Sequence, residues 1–180
     1  VTGVQTCALP ICGMQSGAPR EFWADLSVKS SPDAQAVKRR VKVNEPLRVA
    51  GDSAYLVGHG YSPEFTLTDA NGDVVWQDAA VFLPQDRNFT SNGVVKAPDT
   101  VPQIGISGFF LPTVVKDLSR GPRSTFPAAT DPAVYLSAWT GDLGLDSGKP
   151  QSVYKLDTTR MKRIGIEELT PGETWTLPEG

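Results

Sequence analysis

His59 is the one histidine of the 180-residue chain, set between Gly58 and Gly60, where no adjacent side chain crowds an imidazole. An imidazole this open can ligate haem iron; it can equally be a turn histidine hydrogen-bonded to backbone. It cannot make a zinc site, which takes several His or Cys ligands. A Ser-His-Asp or Cys-His centre would have to use it as base, and no G-x-S-x-G elbow accompanies it. Asp142 and Asp146 are a carboxylate pair of the kind glycoside hydrolysis uses. They stand four apart in the single loop GDLGLDSGK, whereas catalytic pairs converge from separate elements, so loop capping is expected. That loop also lacks the G-x-x-x-x-G-K-[ST] spacing of a phosphate cradle. Asp69, Asn71 and Asp73 match the first three ligands of a calcium loop without its fixed Gly and later Glu. Asn71-Gly72 is instead a hairpin turn signal. No catalytic residue and no metal ligand set is expected, and His59 stands as the candidate haem ligand.

The two cysteines, Cys7 and Cys12, both fall in the opening VTGVQTCALPIC. Residues 1–11 read as a translated sequencing adapter with Cys12 at the junction, a segment to exclude before reasoning about fold. Residues 1–12 are therefore expected to be an artefactual, disordered tail. Residues 13–180 are expected to form a single β-rich domain without cysteine, which rules out a disulfide or Cys-based metal site. The closing Pro178-Glu179-Gly180 is a turn signal with no strand after it, so the domain is expected to be truncated at both ends.

The elements follow from alternation and punctuation. Seventeen Gly and fifteen Pro break the chain often and favour short strands. Residues 21–29 alternate Phe22, Ala24, Leu26 and Val28. Residues 41–61 carry Val41, Val43, Leu47 and Val49 in phase, then a turn at residues 50–53 and a second run, a hairpin that seeds a sheet. Residues 64–69 and 74–76 flank the Asn-Gly turn. Short strands are expected at 81–83 and 94–96. In 104–112 Gly105 and Gly108 mark a bulge or close backbone approach, and Phe109 and Phe110 read as core or as a partner-facing patch. Residues 113–131 read as a long loop with one helical turn near 114–118. Strands are expected at 133–140, 152–156 and 174–177, and a short helix capped by Asp157 over 158–162. Asn88-Phe89-Thr90 fits a glycosylation pattern. Trp23, Trp76, Trp139 and Trp175 read as core or as the lining of a ligand groove. Lys38-Arg39-Arg40 reads as a solvated strand or as a contact for lipid headgroups or an acidic partner.

The predicted class is mainly β: an antiparallel β-sandwich or partly open, barrel-like sheets with long loops and at most one or two short helices. Net charge is −3 with pI near 5.2, which gives no basic surface for nucleic acid. No run of 18 apolar residues occurs, so no helical segment of this sequence spans a bilayer.

The stretch VNEPLRVAGDSAYLVGHGYSPEFTLTDANGDVVW resembles the extracytoplasmic domain of the ResB family. FLPQDRNFTSNGVVKAPD from Phe82, GISGFFLPT from Gly105 and WTGDLGLDSGKPQSVYKLD from Trp139 extend the resemblance over residues 22–177. It implies part of an integral membrane subunit on the extracytoplasmic face of the bacterial cytoplasmic membrane, within System II cytochrome c biogenesis. It also implies flanking transmembrane helices, a ResC-type membrane partner subunit and apocytochrome c as the polypeptide served. Haem would be handled by the full complex, with no cofactor in this fragment, and thioether chemistry would belong to the partner, so the module is expected to be no enzyme. A secreted β-sandwich that binds a carbohydrate or peptide is the alternative.

Overall fold

The computed structural model describes residues 6–8, 11–12, 19–21, 23–31, 33–49, 51–56, 58–69, 71–148 and 150–177. Phe22 and residues 178–180, used above, lie outside them. The chain divides into two compact units, Val1–His59 and Gly60–Gly180.

The first unit holds β1 (Thr6–Ala8), β2 (Ile11–Cys12), β3 (Pro19–Glu21), β4 (Trp23–Val28), β5 (Val37–Lys42), β6 (Leu47–Val49) and β7 (Asp52–Ala54). Its sheets run β1-β4-β5, β2-β3 and β6-β7, all antiparallel. β1 pairs with β4 and β2 with β3. The alternation read in β4 buries Ala24, Leu26 and Val28 with Val41 of β5, and Leu47, Val49 and Leu56 pack against them. The opposite face is polar: Asp25 accepts two hydrogen bonds from Arg40, at 2.7 and 2.8 Å. The Arg40 guanidinium also lies 5.2 Å from the centre of the Trp23 ring. The expected strand through Val41, Val43, Leu47 and Val49 is interrupted. Asn44 takes a positive φ of 65° and the Glu45 N–H donates to the Lys42 carbonyl, so the chain turns and leaves Val43 exposed. Asn tolerates the left-handed region better than other non-glycine residues.

The second unit contains β8 (Glu64–Thr68), β9 (Val74–Ala79), β10 (Phe82–Pro84), β11 (Ser91–Ala97), β12 (Ile104–Leu111), β13 (Val114–Asp117), β14 (Gly121–Ser124), β15 (Ala133–Gly141), a 3-10 turn (Leu145–Ser147) and β16 (Met161–Leu169). Its main sheet is antiparallel with order β10-β11-β12-β15-β16, and β8-β9 and β13-β14 are separate hairpins. The mainly β expectation holds, in several small antiparallel sheets, none of them a closed barrel. One face of the main sheet supplies Val95, Ile106, Phe110, Leu136 and Ala138 to the core; Phe65, Leu67 and Trp76 of the β8-β9 hairpin cover it. That gives two layers around one apolar interior.

Asp69 forms the β8-β9 turn as expected. Its Oδ1 accepts from the Asn71 and Asp73 N–H groups, both at 2.9 Å, so the carboxylate closes a turn of the chain.

Four expectations are corrected. Residues 113–131 are not a loop with a helical turn: Val114–Asp117 and Gly121–Ser124 pair as a hairpin, because valines at 114 and 115 favour a pleated surface over a helix. Residues 152–156 form no strand; they are irregular, and Leu156 of that segment packs over Gly105. The helix expected at 158–162 is absent; Asp157 instead accepts from the Thr159 N–H and hydroxyl, closing a turn that leads into β16. Residues 174–177 are not a strand, yet Trp175 and Leu177 pack on the core.

Several surface carboxylates are tuned by these turns. Hydrogen bonds hold Asp69 (Asp73 N–H first), Asp117 (Ser119 hydroxyl first) and Asp157 (Thr159 N–H first) below the usual value of 3.8. The Lys116 ammonium, 2.9 Å away, lowers Glu168 below 4.5 and ties the β13-β14 hairpin to β16. A carboxylate whose folded pKa is depressed stabilises the fold fully above its unfolded pKa and loses that contribution as pH falls through the folded one. The midpoint of urea unfolding is therefore expected to be flat from neutral pH down to about pH 5 in these groups' contribution, and to fall progressively below about pH 4. Urea titrations across that range check it.

Candidate functional site

A cavity of about 350 Å³ opens in the second unit. Strand register builds its floor. Phe110 of β12 pairs with Val134 of β15, which pairs with Leu169 of β16. Directly opposed residues share a face, so these three side chains form one cross-strand row on the side of the sheet that carries the core. Tyr61 and Phe65, from the layer above, close the other side. The Tyr61 and Phe110 rings lie 4.8 Å apart, and the Tyr61 hydroxyl donates to the Pro127 carbonyl at 2.6 Å. That bond ties the aromatic wall to the segment that brings Ala129 and Pro132 to the cavity. The segment is held in turn by Thr113, whose hydroxyl donates to the Ala128 carbonyl at 2.7 Å.

Two carboxylates stand at the mouth. Glu64 and Glu173 are exposed lining residues, and among the described residues no Lys, Arg or His lines the cavity. Each is oriented: Glu64 Oε1 accepts from Gln77 Nε2 at 2.8 Å, and Glu173 Oε2 accepts from the Thr170 N–H at 2.6 Å. Pro171-Gly172 supplies the turn that returns Glu173 to the rim. Gly172 has φ 87° and the Glu173 N–H donates to the Thr170 carbonyl at 3.0 Å. Proline followed by a positive-φ glycine is the chemistry a type II turn requires. The second unit contains ten Lys and Arg against fifteen Asp and Glu, so its wider field has the same sign as the rim.

The residues singled out from sequence lie elsewhere, Phe110 excepted. His59 ends the first unit in an irregular segment, half-buried, and burial lowers its pKa from 6.5. It does not line the cavity. Asp142 is bonded to Arg160 and accepts from the Gly144 N–H at 2.6 Å, while Asp146 is exposed in the 3-10 turn; Asp142 closes its loop as expected. Among the described residues no group of three or more His, Cys, Asp and Glu is placed to hold a metal ion. Trp76 and Trp175 pack on the core, Trp23 lies beneath Arg40 and Trp139 beneath Arg163. Phe109 stacks on Tyr135 on the far face of the sheet, centroids 5.1 Å apart. Burial and the neighbouring Glu168 push the Tyr135 phenol up to about 12. Asn88 of the glycosylation pattern is half-buried, and its amide donates to the Ser124 carbonyl at 3.2 Å. Glu64 and Val134 fall in the expected strands 64–69 and 133–140, and Leu169 and Glu173 flank the turn chemistry of Pro171-Gly172, but none of the four carries a site signal in sequence.

Haem propionates at the mouth would meet the like charges of Glu64 and Glu173, with no cation among the described lining residues to pair them.

The paired strands of the described residues are antiparallel, and the second unit carries an apolar, acid-rimmed cavity. The chain belongs to the ResB-like family, whose match spans residues 8–177. That membership associates it with cytochrome c biogenesis and with a membrane-associated family of accessory components. No curated protein and no solved structure matches the chain significantly. Among the described residues no helix is long and apolar enough to cross a membrane.

Proposed function

We propose that this chain is a non-enzymatic, extracytoplasmic module of a ResB-like membrane subunit that assists haem attachment to apocytochrome c in System II. The observation that carries this reading is the family match over residues 8–177. In this reading the module works beside a ResC-type partner, supplies a docking surface, and leaves haem and thioether chemistry to the rest of the complex. Sequencing the parent gene tests the setting: segments of about 20 apolar residues are expected on both sides, and an intact parent encoding none ends the reading. The cavity lends support to a second reading, a secreted carbohydrate- or peptide-binding module, which requires no such segments.

The reading also makes a prediction for His59. If haem is held by the membrane portion, titrating haem into this chain gives no Soret shift that depends on His59, and His59→Ala leaves the spectrum unchanged. A shift present in the parent chain and lost in His59→Ala would instead make this imidazole an iron ligand. Its lowered pKa keeps the nitrogen unprotonated, as ligation requires, further into acid than an ordinary histidine.

A further inference from the structure

We propose that the cavity in the second unit receives a cationic side chain, together with an apolar neighbour, from an unfolded or extended partner polypeptide. The walls offer Phe65, Phe110, Val134 and Leu169 to apolar groups, and the mouth places Glu64 and Glu173 where an aliphatic stem would end in a charge. Lys and Arg have that shape, an apolar stem with a charged head kept toward water. Among the described residues no cation lines the cavity, and with the excess of acid over base in this unit the complementarity is one-signed. The volume lies at the small end of ligand sites, enough for one or two side chains. The inference rests on the proposed function in one respect: a maturation module meets a polypeptide whose side chains are still exposed.

The 180-residue chain is titrated with acetyl-Phe-Arg-Phe-amide and acetyl-Phe-Glu-Phe-amide, following backbone amide shifts by NMR. The Arg peptide is expected to bind about tenfold more tightly than the Glu peptide, the scale set by two exposed charge contacts. Its shifts are expected to centre on Phe110, Val134, Leu169 and Thr170. Glu64→Gln with Glu173→Gln, both on the exposed rim, is expected to bring the two peptides to equal affinity with the fold intact. Val134→Trp, which fills the cavity, is expected to abolish binding; the rim pair decides the matter if that variant fails to fold. Equal affinities in the parent chain, or shifts centred elsewhere, would overturn the proposal. So would phenethylammonium binding as tightly as the Arg peptide, which would indicate a small-amine site. Concentration-dependent dimers competing with the peptide, or loss of binding when the chain is extended by its parent's downstream sequence, would assign the cavity to a second copy or to the chain's own continuation. None of these outcomes bears on whether the parent gene is needed for haem attachment, so the two proposals fail separately.

Discussion

Phe82→Ala is expected to cost about 3–5 kcal/mol, the range for emptying a buried aromatic site. Phe82 is 1% exposed although it lies on β10, at the edge of the main sheet. Its ring stacks on Phe65, centroids 6.0 Å apart, and occupies the space where Gly93, its partner on β11, has no side chain. Its N–H donates to the Tyr61 carbonyl at 3.0 Å. One residue therefore fastens the covering layer to the sheet at both side chain and backbone. Against a typical stability of about 5–15 kcal/mol, its loss is expected to lower the urea midpoint sharply with little change in slope. The cavity wall at Tyr61 and Phe65 should loosen with it. A loss below about 1 kcal/mol would mean that the two layers are held by other contacts.

The second large effect is expected at Gly108. A Cβ there would collide with the backbone carbonyl of Tyr135 on the neighbouring strand, which cannot yield as a flexible side chain can. Gly108 sits mid-strand, opposite Gly93 of β11 and Leu136 of β15, so relieving the clash means displacing a central ladder. Gly108→Ala is expected to cost about 1–3 kcal/mol or more, as overpacking does. Gly58→Ala serves as the control. A Cβ there meets nothing within 4 Å, and the change is expected to stay within about 0.5 kcal/mol. Equal midpoints for the two variants would contradict the close strand approach.

Much of the sheet is readable from alternation. In β4 the alternate residues Ala24, Leu26 and Val28 are those buried, the short strand expected at 94–96 lies within β11, and the Asn71-Gly72 turn locates the β8-β9 hairpin. β16 escapes because charged residues at 162, 163, 167 and 168 interrupt its apolar phase. A register shift opposite Ala138 and Trp139 then breaks the period of two. The β13-β14 hairpin is hidden by Gly121-Pro122, which reads locally as loop, and Lys116 ties it to Glu168 on a strand more than 50 residues away. The cavity is least legible. Phe110, Val134 and Leu169 have no common sequence motif and become neighbours only through the β12-β15-β16 register. His59, the most conspicuous residue in the sequence, lies outside that cavity.

The most direct test of the central claim is haem staining of c-type cytochromes in the source cell, with the parent gene intact, deleted, and restored without residues 60–177. The account predicts stained cytochromes only with the intact gene, while apocytochrome is still synthesised in all three. Undiminished staining after deletion would contradict it.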